Sequence, residues 1–245
     1  MSASRAVILA AGNGKRMGRL TVDRPKTMLD VDGRALIDRE LEALAACGVF
    51  DVTIVVGYQH ERLRDHLGSR VRFIENVRYK ETNSLYSLWL ARETLKDGGV
   101  VMNSDILVSP PLLAKLIDAP VEDAVLVDAH SALADEEMKV KIWQGFAIDF
   151  SKELAPWDAD GENVGILKFG LHGGCRLVEH LDALIAAGEV NAWAPRAFKA
   201  VAQEWPLRAI ATDGLPWTEI DFPEDLERAR QMVAQPIPRS KRWAA

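Results

Sequence analysis

A glycine-rich turn near the N-terminus carries residue types that bind phosphate. It runs from Leu9 to Arg16 with the sequence Leu-Ala-Ala-Gly-Asn-Gly-Lys-Arg, and Pro25 and Lys26 follow shortly after it. Glycines directly after a buried strand let backbone N–H groups approach an anion closely, and basic side chains add positive charge there. The turn therefore predicts the binding of a phosphorylated ligand.

Two other glycine-rich motifs fit this turn less well. A dinucleotide-binding motif needs a third glycine at position 17, but Met17 stands there and Gly18 comes one residue late. A P-loop needs a glycine at position 9, where the chain has Leu9. An ordinary surface turn with solvated basic side chains is the alternative without a ligand.

Three acids are suited to hold a divalent cation. Asp105 follows the apolar run 100–102, at the end of a predicted strand where an acid has no packing role. Glu219 and Asp221 are two residues apart on another predicted strand and so share a face. Mg²⁺ prefers one or two carboxylates together with phosphates and water, a demand that the pair Asp105 and Asp221 fits, with Glu219 in reach of the ion directly or through water. For both aspartates, an ordinary helix cap is the alternative.

The elements that must position these residues alternate along the first half of the chain. Apolar runs predict buried strands at 6–11, 52–56, 71–74 and 100–102, and helical spacing predicts helices at 36–47, 61–67 and 87–95. This alternation indicates βαβ units, and hence an α/β fold with a doubly wound, mostly parallel sheet. Ligands of such sheets gather at the carboxyl ends of the strands.

The second half of the chain predicts a smaller, mixed extension of the sheet. Short strands are predicted at 125–127, 140–143, 147–148 and 165–169, and helices at 177–187 and 197–201. Segments 207–211 and 217–221 are predicted to form strands that join the same sheet. Pro223 begins a predicted helix that reaches about Val233.

Several motifs together resemble the nucleotidyltransferases that couple a nucleoside triphosphate to a sugar phosphate or a related phosphate. They are the turn at 9–16, Pro-Lys at 25–26, Val-x-Gly at 31–33, Val-Val-Gly-Tyr at 55–58, Tyr-x-x-Thr-Asn at 79–83, Asp105, and Glu-Ile-Asp-x-x-Glu-Asp-Leu at 219–226. The set is most similar to the small cytidylyltransferases of the phosphocholine type. The resemblance implies one GT-A-like, Rossmann-like domain over residues 1–234, with the mixed strands over the acceptor site. The tail at 235–245 contains two prolines and three basic residues, and we expect it to be loosely ordered.

The resemblance also implies CTP as the nucleotide donor, Mg²⁺ as the cofactor and pyrophosphate as a product. The residues it implies for nucleotide binding are Leu9, Ala10, Ala11, Gly12, Asn13, Gly14, Lys15, Tyr58, Thr82, Asn83 and Ser87. Arg16 is expected to face the leaving pyrophosphate, and Lys26 to bridge the α-phosphate and the incoming phosphate. For Thr82, Asn83 and Ser87 helix capping is an equal alternative, and Tyr58 fits core packing as well as stacking on the base.

The acceptor is the least determined part of the prediction. A quaternary ammonium is bound by aromatic faces and a nearby carboxylate, which Trp143, Trp193, Trp217 and Glu136 offer in the second half of the chain. Phosphocholine is therefore the favoured acceptor, although tryptophans in a small domain mostly serve packing. An inositol phosphate, 2-aminoethylphosphonate or a sugar 1-phosphate is the alternative, and a nucleotide-binding regulatory domain without catalysis is a further one.

Composition excludes several other classes of protein. The 30 basic and 36 acidic side chains give a net charge of −6, which argues against nucleic acid as a partner. The two cysteines, Cys47 and Cys175, match neither a disulfide framework nor a zinc-binding spacing. The run 6–11 is too short for a signal sequence or a membrane span. We therefore expect a cytoplasmic protein that does not act at a membrane, and homo-oligomer formation is left open.

Overall fold

A computed structural model describes residues 4–130 and 133–234, and the tail predicted at 235–245 lies outside these residues. The strands, in chain order, are β1 (Arg5–Ala10), β2 (Asp30–Val31), β3 (Arg34–Ala35), β4 (Asp51–Val56), β5 (Arg72–Glu75), β6 (Gly99–Asn103), β7 (Ile106–Val108), β8 (Ala124–Asp128), β9 (Lys139–Trp143), β10 (Phe146–Ser151), β11 (Gly161–Phe169), β12 (Leu207–Ala211) and β13 (Trp217–Glu219). The α-helices are α1 (Leu36–Ala46), α2 (His60–Leu67), α3 (Ser84–Leu90), α4 (Arg92–Leu95), α5 (Pro110–Ile117), α6 (Leu171–Ala186), α7 (Pro195–Glu204) and α8 (Pro223–Ala234).

Within the described residues, nine strands form the main sheet, in the order β5-β4-β1-β6-β11-β8-β12-β10-β9. The first four are parallel, with Ile8 of β1 opposite Ile54 of β4 on one side and Met102 of β6 on the other. Strands β1, β4 and β6 are mostly apolar and buried because helices cover both faces of the sheet, whereas the edge strand β5 is only partly buried. The predicted α/β fold with a doubly wound sheet is thus confirmed.

The mixed half of the sheet begins at β11, which runs antiparallel to β6 and to β8. The prediction had this strand begin at Gly165, but it begins at Gly161. Gly165 has a φ of 81°, and the register against β8 shifts between Asn163 and Leu167, so this glycine forms an irregularity inside the strand and not its start. The longer β11 also pairs with the edge strand β9.

The segment Trp217–Asp221 does not join the main sheet as predicted. Its strand, β13, pairs antiparallel with β7 in a separate two-stranded sheet. β7 is a short strand directly after Asp105 that periodicity did not reveal, since three buried residues are too few to show an alternation. The predicted helix at 87–95 is likewise divided, because Ala91 separates α3 from α4.

Two layers of apolar side chains hold the helices against the sheet. Along β1, Ala6, Ile8 and Ala10 pack with α1, α2 and α5, whereas Val7 and Leu9 pack with α3, α6 and α7. Helix α8 packs instead on the loop after β1, through a cluster that contains Leu226, Met17 and Ile220. Among the described residues, no helix has both the length and the apolar character needed to cross a bilayer.

Candidate active site

A cleft with a cavity volume of about 420 Å³ opens at the carboxyl ends of β1, β6 and β5. It brings together most of the residues predicted from the sequence. Those that line it are Leu9, Ala10, Ala11, Gly12, Asn13, Gly14, Lys15, Arg16, Lys26, Thr82, Asn83, Ser87, Asp105, Glu136, Trp193, Glu219 and Asp221. Tyr58, Trp143 and Trp217 are outside this lining. The binding roles of the residues in the cleft remain predictions.

The glycine-rich turn forms one wall of the cleft. β1 ends at Ala10, and Gly14 takes a left-handed conformation, with a φ of 59°, before a 3-10 helix over Lys15–Thr21. A Cβ atom on Gly14 would lie 3.0 Å from the Cβ of Lys26, so the glycine allows the two segments to approach closely. The hydroxyl of Thr21 donates to the carbonyl of Gly14 at 2.9 Å and holds the turn.

Lys26 lies at the centre of an acidic cluster. Its Nζ is 2.7 Å from an oxygen of Asp105 and 2.7 Å from an oxygen of Asp221. The other oxygen of Asp221 is 2.7 Å from Nη2 of Arg16. The two cations predicted for phosphate binding and the two aspartates predicted for metal binding therefore form one connected set of charges.

The small sheet of β7 and β13 explains why distant parts of the chain meet here. Glu219 is opposite Ile106 in this sheet, and the N–H of Ile220 donates to the carbonyl of Asp105 at 2.8 Å. Asp105 occupies the turn between β6 and β7, and Asp221 follows β13. Both aspartates are therefore placed by pairing of short strands.

Neither aspartate is a helix cap. Helix α5 has Ser109 at its N-cap position, which leaves Asp105 in the preceding turn. At the start of α8, Oδ2 of Asp225 accepts from the N–H groups of Asp221 and Phe222, at 2.8 and 2.7 Å. Asp225 thus binds the two N–H groups that directly precede this helix, and the carboxylate of Asp221 is turned toward Lys26 and Arg16. The capping alternative was wrong for both residues.

Burial and crowding shift the pKa values of the charged groups. Burial acts to lower the pKa of Lys26, but the charges and hydrogen bonds of Asp105 and Asp221 outweigh it and raise that pKa, so the ammonium keeps its proton. Burial, followed by the charges of Asp105 and Asp221, raises the pKa of Glu219 to about 8. Burial and then the charge of Asp105 also raise the pKa of Glu40 well above its usual range.

The three acids are spaced to share a cation. Asp105, Glu219 and Asp221 each offer one oxygen, and these oxygens lie within 4.8 Å of one another. The Oδ1 atom of Asp105 is buried and, among the described residues, has no hydrogen-bond partner. An unpaired buried carboxylate oxygen is costly without a cation, and an all-oxygen donor set fits Mg²⁺. The residues therefore suit the predicted metal.

The wall formed by β5 and α3 is held by a buried amide that sequence reasoning missed. Nδ2 of Asn76 donates to the hydroxyls of Thr82 and Ser87, at 3.0 Å each, and Asn76 is 1% exposed. Asn83 caps α3 by accepting from the N–H of Ser84, and it also lines the cleft. Asn76 directly follows β5, and its place at the carboxyl end of a predicted parallel strand was the signal that could have revealed it.

Three aromatic residues are not where the sequence suggested. The hydroxyl of Tyr58 donates to the carbonyls of Thr21 and Val22, so this ring supports the loop after β1. Trp143 is 66% exposed on the edge strand β9. The indole N–H of Trp217 donates to Asp128 at 2.8 Å, and its ring packs on the core. Periodicity could not show which face of its strand each ring would occupy.

The cleft also contains Trp193, with Lys152 over its ring. Nζ of Lys152 is 5.1 Å from the ring centroid and 3.5 Å from Oε2 of Glu136. The same oxygen of Glu136 is 3.8 Å from Nη1 of Arg16. Lys152 was not predicted, since a lysine in a loop between strands gives no periodic signal. Tyr79 and Asn103 are further lining residues that the prediction did not assign to the cleft.

Comparison with known proteins agrees with this fold and cleft. The family model described as the MobA-like NTP transferase domain matches residues 6–204. The chain belongs to this family. It is a nucleotidyltransferase, as the resemblance had indicated.

Curated relatives narrow the class to cytidylyltransferases of small phosphorylated or phosphonate molecules. The chain is 29% identical to the CTP:phosphoglutamine cytidylyltransferase of Campylobacter jejuni subsp. jejuni serotype O:2, over 91% of this chain and 97% of that protein. It is 34% identical to the 2-aminoethylphosphonate cytidylyltransferase of Lancefieldella rimae, over 43% of this chain and 44% of that one. The solved CTP:phosphocholine cytidylyltransferase of Streptococcus pneumoniae superposes with a TM-score of 0.80 at 23% identity, over 94% and 99% of the two chains, and supports the fold alone.

Proposed function

We propose that this protein transfers CMP from CTP to a small phosphate or phosphonate acceptor, with release of pyrophosphate, in a reaction that depends on Mg²⁺. The observation that carries the proposal is the position of Lys26, whose ammonium lies 2.7 Å from two carboxylates beside the phosphate-binding turn. The curated relatives are CTP-dependent enzymes with phosphorylated or phosphonate acceptors, which supports the choice of donor and of acceptor class.

The reaction brings two anions together, so its main requirement is charge neutralisation. A phosphate or phosphonate oxygen of the acceptor attacks the α-phosphorus of CTP, and the bond to the bridging oxygen of pyrophosphate breaks. No covalent enzyme intermediate is needed, because the acceptor oxygen is already ionised. Positioning and electrostatic stabilisation then supply most of the rate enhancement.

Lys26 and Arg16 are placed to serve the two sides of this reaction. Lys26 lies in the cleft with a positive charge that its partners stabilise, and we assign it to the oxygens of the α-phosphate and the acceptor. Arg16 stands at the other oxygen of Asp221, and we assign it to the leaving pyrophosphate. Asp105 and Asp221, with Glu219 beside them, would hold Mg²⁺, which when bound neutralises charge on the phosphates.

The nucleotide is expected to lie between the glycine-rich turn and the start of α3. Gly12, Asn13 and Gly14 are assigned to the phosphates and the ribose, because a left-handed residue in such a turn is typical of anion-binding loops. Thr82, Asn83 and Ser87 are assigned to the cytosine edge, which offers both hydrogen-bond donors and acceptors. Asn76 holds two of these side chains and so preserves the shape of that wall.

The identity of the acceptor rests on fewer contacts. Phosphocholine, favoured from the sequence, would find Trp193 and Tyr79 in the lining of the cleft, but neither Trp143 nor Trp217. Phosphoglutamine, 2-aminoethylphosphonate and inositol phosphate remain candidates of the same chemical class.

A pyrophosphate-release assay with a panel of donors and acceptors tests the proposal. With Mg²⁺ present, we expect release with CTP and at least one acceptor from phosphocholine, phosphoethanolamine, O-phosphoserine, phosphoglutamine, 2-aminoethylphosphonate and inositol phosphate. A preference for UTP or dTTP with a sugar 1-phosphate would instead assign the sugar-nucleotide reaction. Binding of CTP without turnover of any acceptor would point to a regulatory nucleotide-binding domain.

A further inference from the structure

We propose that Lys152 makes the acceptor site selective for a molecule that carries a second negative charge, such as a carboxylate, in addition to its phosphate or phosphonate. This inference rests on the proposed function, because it concerns the acceptor end of the same cleft. It assigns to Lys152 a role in specificity and leaves the transfer step to Lys26 and Arg16.

The position of Lys152 decides what the face of Trp193 can bind. The ammonium lies 5.1 Å from the centroid of the ring, within the range of a cation–π interaction. A trimethylammonium group that used this face would displace Lys152 or come close to a like charge. The ring is therefore already paired with a cation of the chain itself, so it can contribute little to the binding of a quaternary ammonium.

The counter-ion of Lys152 is a loosely held, exposed side chain. Oε2 of Glu136 is 3.5 Å from Nζ, at the limit of a hydrogen bond, and the side chain of Glu136 is 75% exposed. This oxygen also faces Arg16 at 3.8 Å. A carboxylate on the acceptor can take the place of Glu136 beside Lys152 without breaking a short contact, and that exchange keeps the ammonium paired.

A second lysine, Lys139, holds the backbone of Lys152 in place. Lys139 is 1% exposed, and its Nζ donates to the carbonyl of Lys152 at 2.8 Å. Lys152 directly follows β10, whose last residue, Ser151, is paired with Lys139 of β9. The ammonium of Lys152 is thus presented to the cleft from a defined point of the sheet edge.

The backbone around Trp193 is also held in place by hydrogen bonds. The residues before and after it are bonded to the start of α3: Leu85 donates its N–H to the carbonyl of Ala192 at 3.1 Å, and the N–H of Ala194 donates to the hydroxyl of Ser84 at 2.8 Å. The ring of Trp193 and the ammonium of Lys152, 5.1 Å apart, therefore extend from backbone segments that hydrogen bonds hold in place. Such a pair can discriminate between acceptors by charge.

The test compares two acceptors that differ by one carboxylate, O-phosphoserine and phosphoethanolamine. For the wild-type protein we expect kcat/KM for O-phosphoserine to exceed that for phosphoethanolamine by about tenfold, which corresponds to about 1.4 kcal/mol. Lys152→Met should abolish this ratio, and Lys152→Arg should retain most of it. Lys141→Met is the matched control, because Lys141 lies on β9 and pairs with Asp160 outside the cleft lining.

A binding measurement distinguishes failure of this inference about Lys152 from failure of the proposed function. Calorimetry of each acceptor with the protein and a non-hydrolysable CTP analogue reports on the acceptor site even if turnover fails, and the same preference and its loss in Lys152→Met are expected. Equal losses for both acceptors in Lys152→Met would mean that Lys152 holds the shared phosphate, and would overturn the inference. Equal affinity in the wild type, a preference for phosphocholine, or no binding at millimolar concentrations would overturn it too.

Discussion

At the phosphate end of the cleft, the ammonium of Lys26 lies 2.7 Å from two carboxylates, and its side chain is 14% exposed. At the acceptor end, the ammonium of Lys152 lies 3.5 Å from one carboxylate, its side chain is 28% exposed, and Trp193 is 51% exposed. The first arrangement is held by short contacts between largely buried groups, whereas the second consists of more exposed side chains that can be replaced with little effect on the fold. In the proposed function, the transfer step and the choice of acceptor would therefore depend on groups buried to different depths in one cleft.

This difference explains why the family is easier to recognise than the acceptor. The charged cluster of Arg16, Lys26, Asp105 and Asp221 joins the glycine-rich turn, the β6–β7 turn and the end of β13. Removal of one of these charges therefore leaves its partner without a counter-ion. At the proposed acceptor end, Lys152 lies 3.5 Å from Glu136 and 5.1 Å from the centroid of Trp193, and these longer contacts make its side chain easier to replace. Substitutions at the two ends are therefore expected to have effects of different size and kind.

The largest effect is expected for Lys26→Ala. This substitution should lower kcat by about 10²–10³-fold, the scale for removal of one group that stabilises charge in the transition state, and should change CTP affinity only a few-fold. Steady-state kinetics and CTP binding by calorimetry measure the two quantities. Lys96→Ala, an exposed lysine paired with Glu93, is the control. A variant with kcat within a few-fold of wild type would show that the buried cluster does not perform the chemistry.

Asp105→Asn and Asp221→Asn should raise the Mg²⁺ concentration for half-maximal activity by about tenfold or more, since each removes a charged oxygen ligand. The measurement is a Mg²⁺ titration of initial rates at saturating CTP. Asp213→Asn removes an exposed aspartate that pairs with Lys115 and should leave the titration unchanged. Wild-type Mg²⁺ dependence in both cluster variants would assign the metal to other residues.

The raised pKa of Glu219 predicts that Mg²⁺ binding depends on pH. Because this pKa is about 8 in the metal-free protein, Glu219 carries a proton at pH 7 that a bound cation must displace. Mg²⁺ affinity should therefore rise with pH and level off above about 8. Calorimetry in two buffers of different ionisation enthalpy should detect the released proton, and Glu219→Gln should abolish the release. Mg²⁺ binding by the wild type without proton release would contradict this prediction.

The same group should make the metal-free protein less stable as the pH rises. Between the ordinary pKa of 4.5 and about 8, the folded protein holds a proton on Glu219 that the unfolded chain has lost. The free energy of unfolding therefore decreases across this interval, and it should decrease less in Glu219→Gln. Urea unfolding at several pH values gives both slopes. Parallel slopes for the two proteins would show that Glu219 does not titrate in this range.

A smaller effect is expected for Asn76→Ala on the nucleotide wall. Loss of its three side-chain hydrogen bonds, to the hydroxyls of Thr82 and Ser87 and from the N–H of Arg78, should lower the free energy of unfolding by about 1–3 kcal/mol and raise the KM for CTP a few-fold, with little change in kcat. Urea unfolding and steady-state kinetics measure these changes. Asn191→Ala, at an exposed position, is the control. A large loss of kcat with unchanged KM would place Asn76 in the reaction itself.

The sequence by itself determined the class of fold and the residues of the buried cluster. Continuous apolar runs that alternate with helical segments can satisfy their burial only in a sheet covered on both faces, and the glycine-rich turn is a local feature whose function follows from adjacent residues. Lys26, Asp105 and Asp221 were predicted because their positions after strands, and their resemblance to a family pattern, are visible in one dimension.

Only the tertiary structure decided how these residues meet and what surrounds the acceptor. Asp105 and Asp221 come together through β7 and β13, which are too short for a periodic pattern. The three tryptophans are chemically alike in the sequence, yet packing sends Trp193 into the cleft, Trp217 onto the core and Trp143 to the outer edge. Lys152 contacts Trp193 although the two residues are distant in sequence. Such contacts leave no local signal in the sequence.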